Sequence, residues 1–185
     1  MARKSQEMPL GKYDNFPAII HGEASLIYTS PLIKLQQAII LGFYNLNGFS
    51  EFCSMDMSNY NKTCDVEIGY ETGVANGLFF NFLNTSQKTF LLNKLESGTP
   101  FLLLDFLVIV TYHYFDEGKK KPLKFDYFLL RFLFSRLRFK LQLFHEKGIQ
   151  RVSPQELIKR LLVIIDREVK QLHLTPNRIE YIKTV

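Results

Sequence analysis

The sequence contains no tryptophan and only two cysteines, Cys53 and Cys64, among 185 residues. Two cysteines at this spacing form neither a disulfide framework nor a CxxC redox or zinc pair, so they read as reduced thiols. No GxSxG elbow, Walker loop or GxGxxG turn occurs, which removes acyl transfer and nucleotide binding by those devices. Long hydrophobic runs are missing as well. The most apolar stretch, Phe101 to Phe115, is interrupted by Asp105 and ends in Tyr112, His113 and Tyr114, short of the ~20 residues a membrane helix requires. Met1 to Pro17 holds no apolar segment of the kind that directs secretion. Residues 1–16 are therefore expected to form a flexible arm on an intracellular, cytoplasmic protein with no membrane partner.

What is present is ample core-forming material. Hydrophobic residues make up 46% of the chain, including 17 Phe and 9 Tyr, enough to fold one domain without disulfide or metal staples and too much for disorder. Within Ala18 to Tyr28, Ile20, Ala24, Leu26 and Tyr28 alternate with polar residues, the period of a half-buried strand. Ser30-Pro31 then reads as an N-cap and first helical position, followed by Leu32, Leu35, Ile39, Phe43 and Leu46 at helical spacing up to Asn47-Gly48. Residues 49–63 are polar and read as a long loop or insertion. Alternation at Cys64, Val66, Ile68 and Tyr70, with breakers at Gly73 and Asn76-Gly77, predicts a hairpin with Leu78 to Leu83. Thr85 or Ser86 can cap a second helix carrying Phe90, Leu91 and Leu95, and Phe106 to Tyr112 is rich in strand formers.

The segment 123–144 fits two templates. Leu137, Phe139, Leu141 and Leu143 alternate with Arg138, Lys140 and Gln142, yet Leu130, Leu133, Phe134, Leu137, Leu141 and Phe144 also share a helical face. The alternation favours two strands turning near Ser135-Arg136, with one long helix as the competitor. Ser153-Pro154-Gln155-Glu156 is a capping box ahead of the apolar stripe Ile158, Leu161, Leu162, Ile165, Val169 and Leu172. In order, the elements through residue 115 run strand, helix, strand, strand, helix, strand. The expected fold class is thus α+β: a ferredoxin-like βαββαβ core over about residues 18–115, extended by an antiparallel β-hairpin and a C-terminal helix. The single domain is expected to span 17–175, with a loose tail over 176–185.

Charge is unevenly placed. Between 119 and 151 there are ten basic residues against two acidic ones, while the whole chain carries +5, so the remainder is net negative. Concentrated positive charge attracts phosphates through Coulomb steering and counterion release. Lys119, Lys120, Lys121, Arg136, Arg138 and Lys140 are the expected nucleic-acid-binding residues, with the two clusters lying near each other. A lysine-bearing sheet edge that discourages aggregation explains the same residues without a ligand.

Gly77-Leu78-Phe79-Phe80-Asn81-Phe82 is weakly similar to the aromatic-bearing strand of RNA-recognition motifs. It lacks that motif's basic residue and second small residue, and a central strand buried on both faces accounts for its phenylalanines. His21-Gly22-Glu23 has no PCxxC partner, and His145-Glu146 meets Ile149 where HExxH requires histidine. Asp105, Asp116 and Asp126, with the four histidines, are the residues that could assemble a metal-dependent nuclease. The sequence favours a non-catalytic subunit that contacts RNA or DNA through the 119–151 surface, without a cofactor. An acidic protein surface, another protein partner or a second copy of the chain are the other partners its charge and apolar content suit. A phosphate-handling enzyme and a structural interaction module are the alternative functions.

Overall fold

A computed structural model describes residues 9–57 and 62–184. The chain forms β1 (Gly11–Lys12), β2 (Gly22–Ile27), α1 (Leu32–Leu46), β3 (Ser50–Met57), β4 (Lys62–Asn76), β5 (Phe79–Phe82), α2 (Thr85–Glu96), β6 (Leu103–Asp116), β7 (Lys119–Ser135), β8 (Arg138–Gly148), α3 (Pro154–Gln171) and β9 (Arg178–Thr184). It is an α+β protein with three helices and one nine-stranded sheet in the order β1-β5-β4-β6-β7-β8-β2-β9, β3 pairing with β4 beside β5. Every pairing is antiparallel.

The ferredoxin-like core is not confirmed, and the sheet is larger than the element order implied. The first strand of that order, β2, joins β8 and β9, away from β4, β5 and β6. Segment 123–144 does belong to two strands, β7 and β8, which meet across Ser135↔Arg138. The polar stretch read as a loop contains β3, whose Glu51 and Cys53 sit opposite Ile68 and Val66. Residues 58–61 lie outside the described residues. The expected tail carries β9, which pairs with β2 from Arg178 to Thr184.

All three helices cover one face of the sheet. There Phe106, Val108 and Val110 of β6 and Phe128, Leu130 and Phe132 of β7 meet α1 and α3. The Phe43 ring stacks on Phe106 at 4.2 Å and meets Phe132 edge-on at 5.7 Å. β6 shows no apolar alternation because both its faces are covered: Leu107 and Ile109 belong to a smaller cluster on the opposite side.

Helix ends follow capping chemistry with small displacements. Ser153 Oγ accepts from the Glu156 N–H at 3.2 Å, as the capping box predicts. Asn84, not Thr85 or Ser86, caps α2 by accepting from the Gln87 N–H. Pro31 occupies the α1 cap position without a side-chain bond, and Ser30 Oγ donates to the Thr175 carbonyl instead.

The opposite face is crossed by residues 10–21, of which 10–16 belong to the segment expected to be a flexible arm. β1 and β2 are separated by five strands, or six intervals of ~4.8 Å, about 29 Å in all. The ten residue steps from Lys12 to Gly22 reach at most about 35 Å, so the connection has length enough to cross the face as a strap, with bends at Asp14, Ala18, Ile19 and His21. It is pinned in the middle. Arg131 donates to both oxygens of the nearly buried Asp105, Nε to Oδ1 at 2.8 Å and a terminal nitrogen to Oδ2 at 2.7 Å. The Tyr13 hydroxyl hydrogen-bonds to Asp105 as well, and the Arg131 guanidinium lies 4.7 Å from the Phe16 ring centroid. Further along, His21 stacks on Phe144 at 4.7 Å.

Candidate nucleic-acid interface

The six predicted basic residues fall at opposite ends of one strand. Lys119, Lys120 and Lys121 open β7, after a two-residue turn in which Glu117 and Gly118 both adopt positive φ, 50° and 74°, the conformation that suits a tight antiparallel hairpin. Arg136 stands in the turn at the other end, and Arg138 and Lys140 begin β8. Sixteen steps of ~3.3 Å put the two groups on the order of 50 Å apart, so the expected proximity of the lysine turn to Arg136, Arg138 and Lys140 is not found.

The second group is matched by acids. Arg138 lies 3.2 Å from Glu180, while Lys140 and Lys183 flank Glu23 at 3.9 and 3.6 Å. Glu23 also accepts from the Tyr181 hydroxyl at 2.6 Å and the Gln142 amide at 3.2 Å. Burial alone would raise the Glu23 pKa, but these two donors and the two lysines outweigh it and hold the carboxyl below its ordinary value.

At the lysine end the strap no longer covers the sheet, and aromatic rings face outward. Phe52 of β3 is 65% exposed, Phe115 of β6 45% and Phe125 of β7 47%. The Phe52 and Phe115 rings lie 6.0 Å apart, and Phe125 meets Tyr127 edge-on at 5.2 Å. The register explains this. Phe52 opposes Glu67, which opposes His113, and Phe115 opposes Lys120, so alternate side chains from four strands share one face. Lys120 closes the group with a 2.8 Å bond to Glu67, and Lys121 meets Asp116 at 2.5 Å. Burial and then the Lys120 charge lower the His113 pKa, with Glu67 opposing them. The lowered value favours the neutral ring at physiological pH.

With two of the lysines held by acids, this surface is aromatic first and basic second. Lys119 and Lys124 are exposed on the same strand but alternate to its other side, while the Lys147 ammonium sits 4.4 Å over the Tyr127 ring. Outward rings on a sheet face stack bases, and flanking lysines neutralise phosphates. The period-two positions His113 and Phe115, and Phe125 and Tyr127, carried this signal in the sequence. The Gly77–Phe82 strand contributes differently: Phe80 is buried under Tyr13, its ring 4.7 Å away, and β5 is a short strand near the sheet edge, not a central one.

The carboxylates considered for metal chemistry are dispersed. Asp105 belongs to the strap pin, Asp116 to the lysine hairpin, and Asp126 to a buried network behind the sheet surface. Asp126 is fully buried. It accepts from the Tyr112 hydroxyl and the Gln150 N–H, both at 2.6 Å, from the Arg151 N–H at 3.2 Å, and from His145 Nε2 at 3.0 Å in the tautomer that protonates this nitrogen. His21 Nδ1 accepts from the His145 backbone N–H. Two histidines and one aspartate therefore do gather, but their polar atoms bond one another and the β8–α3 connection. Among the described residues no group of three or more His, Cys, Asp or Glu is placed to hold a metal ion, and no helix is long and apolar enough to cross a membrane.

Compared with known proteins, the chain matches no family model, no curated protein and no solved structure.

Proposed function

We propose that this protein is a non-catalytic, single-strand nucleic-acid-binding subunit whose interface is the uncovered sheet end bearing Phe52, Phe115, Phe125 and Tyr127 beside Lys119, Lys120 and Lys121. The observation that carries this reading is the outward exposure of three phenylalanines on a strand surface next to a lysine hairpin. A solvated face has no use for such rings, whereas successive bases stack on them at about 1–3 kcal/mol each. Both RNA and DNA are accommodated, and a cytoplasmic setting fits either. Because Glu67 and Asp116 occupy two lysines, stacking dominates and the salt dependence is shallow. Lys119 and Lys124 alternate to the other side of β7, so Lys147 is the main cation on the aromatic face, and one such contact gives a slope of log K against log salt of about −0.7 for a single strand.

Fluorescence anisotropy of labelled RNA and DNA oligomers against salt tests this. Phe115→Ala with Phe125→Ala is expected to weaken binding at least tenfold, with unchanged circular dichroism, whereas Arg136→Ala with Arg138→Ala leaves it within twofold. Absence of binding to either nucleic acid at about 50 mM salt, where phosphate contacts are strongest, refutes the proposal.

A protein-facing surface at the opposite end supports assembly into a larger complex as a second role. Leu102 is 86% exposed beside the half-exposed Leu103, next to the turn that carries the exposed Leu137 and the basic Arg136. Such a rim suits a partner with an apolar centre and acidic margin.

A further inference from the structure

We infer that the cleft beneath the strap receives one nucleobase of the bound strand, stacked on Tyr127. This rests on the reading of the exposed aromatic end as a single-strand interface. The cleft has a volume of 350 Å³, within the range of sites that enclose small ligands. Leu107 and Leu129 make an apolar floor, Tyr127 forms one wall, and Asp14 and Asn15 of the strap face it, with Lys147 at the lip.

Tyr127 joins the two regions. Its ring touches Phe125, the last ring of the outward strip, at 5.2 Å, and lines the cleft on the other side. The Lys147 ammonium over this ring holds the place a base would take. A base entering there displaces it from the ring and leaves it next to the phosphate of the same nucleotide. Asn15 Oδ1 accepts from the Phe16 N–H at 2.9 Å, which orients the side chain and leaves its NH₂ as a donor, while Asp14 beside it supplies acceptors. The strap thus presents one donor and one acceptor group to the edge of a base lying on an apolar floor. A purely aliphatic ligand would make no use of Asp14 and Lys147, and a sugar would make no use of the Tyr127 face. A base with its phosphate uses the Tyr127 face, the strap's polar groups and Lys147, while Lys12 and Glu146 complete the charged lining. Tyr13 and Phe16 pin the strap, so the cleft exists before binding and little ordering opposes entry.

The test uses the full chain, the four 5′-mononucleotides, and single-stranded oligomers with or without one abasic position. Methyl NMR signals of Leu107 and Leu129 are expected to shift on titration with at least one mononucleotide. Asp14→Ala with Asn15→Ala, both at exposed sites, should weaken that mononucleotide at least tenfold and abolish preference among homopolymers, while leaving abasic-oligomer binding unchanged. If oligomers bind and respond to Phe115→Ala but no mononucleotide moves the two methyl signals, the cleft assignment falls and the interface stands. If neither oligomers nor mononucleotides bind, both fall.

Discussion

Replacing Asp126 by alanine removes the shared acceptor of four donors and is expected to cost about 3–5 kcal/mol of stability. Tyr112 Oη, His145 Nε2 and the N–H groups of Gln150 and Arg151 all converge on its two oxygens. A stranded buried donor costs about 1–3 kcal/mol; Gln150 lies at the surface and recovers water, and the other three donors, each at the lower part of that range, account for the loss. Gly148→Ala attacks the same contact from the other side. Gly148 has φ 128°, and a methyl group there would overlap Asp126 Oδ1 and the Phe125 carbonyl oxygen, so a loss of at least ~2 kcal/mol is expected. Acid sharpens the test. Burial raises the Asp126 pKa, but the donors, led by the Tyr112 hydroxyl, outweigh it, and the folded-state value is depressed. A carboxyl depressed in the folded state stabilises above its unfolded pKa of about 4 and ceases to do so as pH falls through the folded value. The gap between wild type and Asp126→Ala should therefore be full at pH 7 and narrow below about pH 4. Urea unfolding followed by circular dichroism at several pH values measures it, since tryptophan emission is unavailable to this sequence. A variant within ~1 kcal/mol of wild type at pH 7, or a gap that widens in acid, refutes the reasoning.

Leu137 holds φ 62° in the β7–β8 turn while more than half exposed. Leu137→Asn, which tolerates that conformation, is expected to gain about 0.5–1 kcal/mol, read as a rise of a few degrees in Tm. The Tyr13 pKa is pushed up to about 12 by burial first, then by its bond to Asp105 and that carboxylate's charge. A group raised in the folded state contributes fully below its unfolded value of about 10 and progressively less as pH climbs towards the folded one. Hydrogen exchange or limited proteolysis over residues 10–17 should therefore quicken between about pH 10 and 12. In Tyr13→Phe the strap should be looser at neutral pH, with no such alkaline step.

The helices and the β7–β8 hairpin were legible because their signals are local. Ser153 and its apolar stripe, and the alternation of Phe139, Leu141 and Leu143, specify an element without reference to distant residues. β3 and β9 were not legible because little of their stability comes from an apolar pattern of their own. Glu51 of β3 answers Arg160 of α3 and accepts from the Tyr70 hydroxyl, and Tyr181 and Lys183 of β9 answer Glu23. Each looks like loop chemistry until the partner strand is known. The ferredoxin-like reading failed for the same reason, since element order does not encode which strands pair. At the candidate site, lysine density was visible, but its division between two ends of β7 depended on strand length. The strap was hidden because its anchors, Leu10, Tyr13, Phe16, Ile20 and His21, follow neither a helical nor a strand period.

The position of β2 between β8 and β9 has a kinetic consequence. Glu23 and its β8 neighbour Gln142 are 119 positions apart, and its β9 neighbour Tyr181 is 158 away. At synthesis rates of about 5–20 residues per second, β2 is made on the order of ten seconds before any strand that can flank it. Through that interval Ala24 and Leu26, which end with almost no exposure, have no sheet to join, and closing so long a loop places folding at the slow end for a domain of this size. Substitutions in Gly22–Ile27 will therefore act on how much protein reaches the native state, through chaperone dependence and aggregation during synthesis, as well as on the resistance of the finished molecule to denaturant.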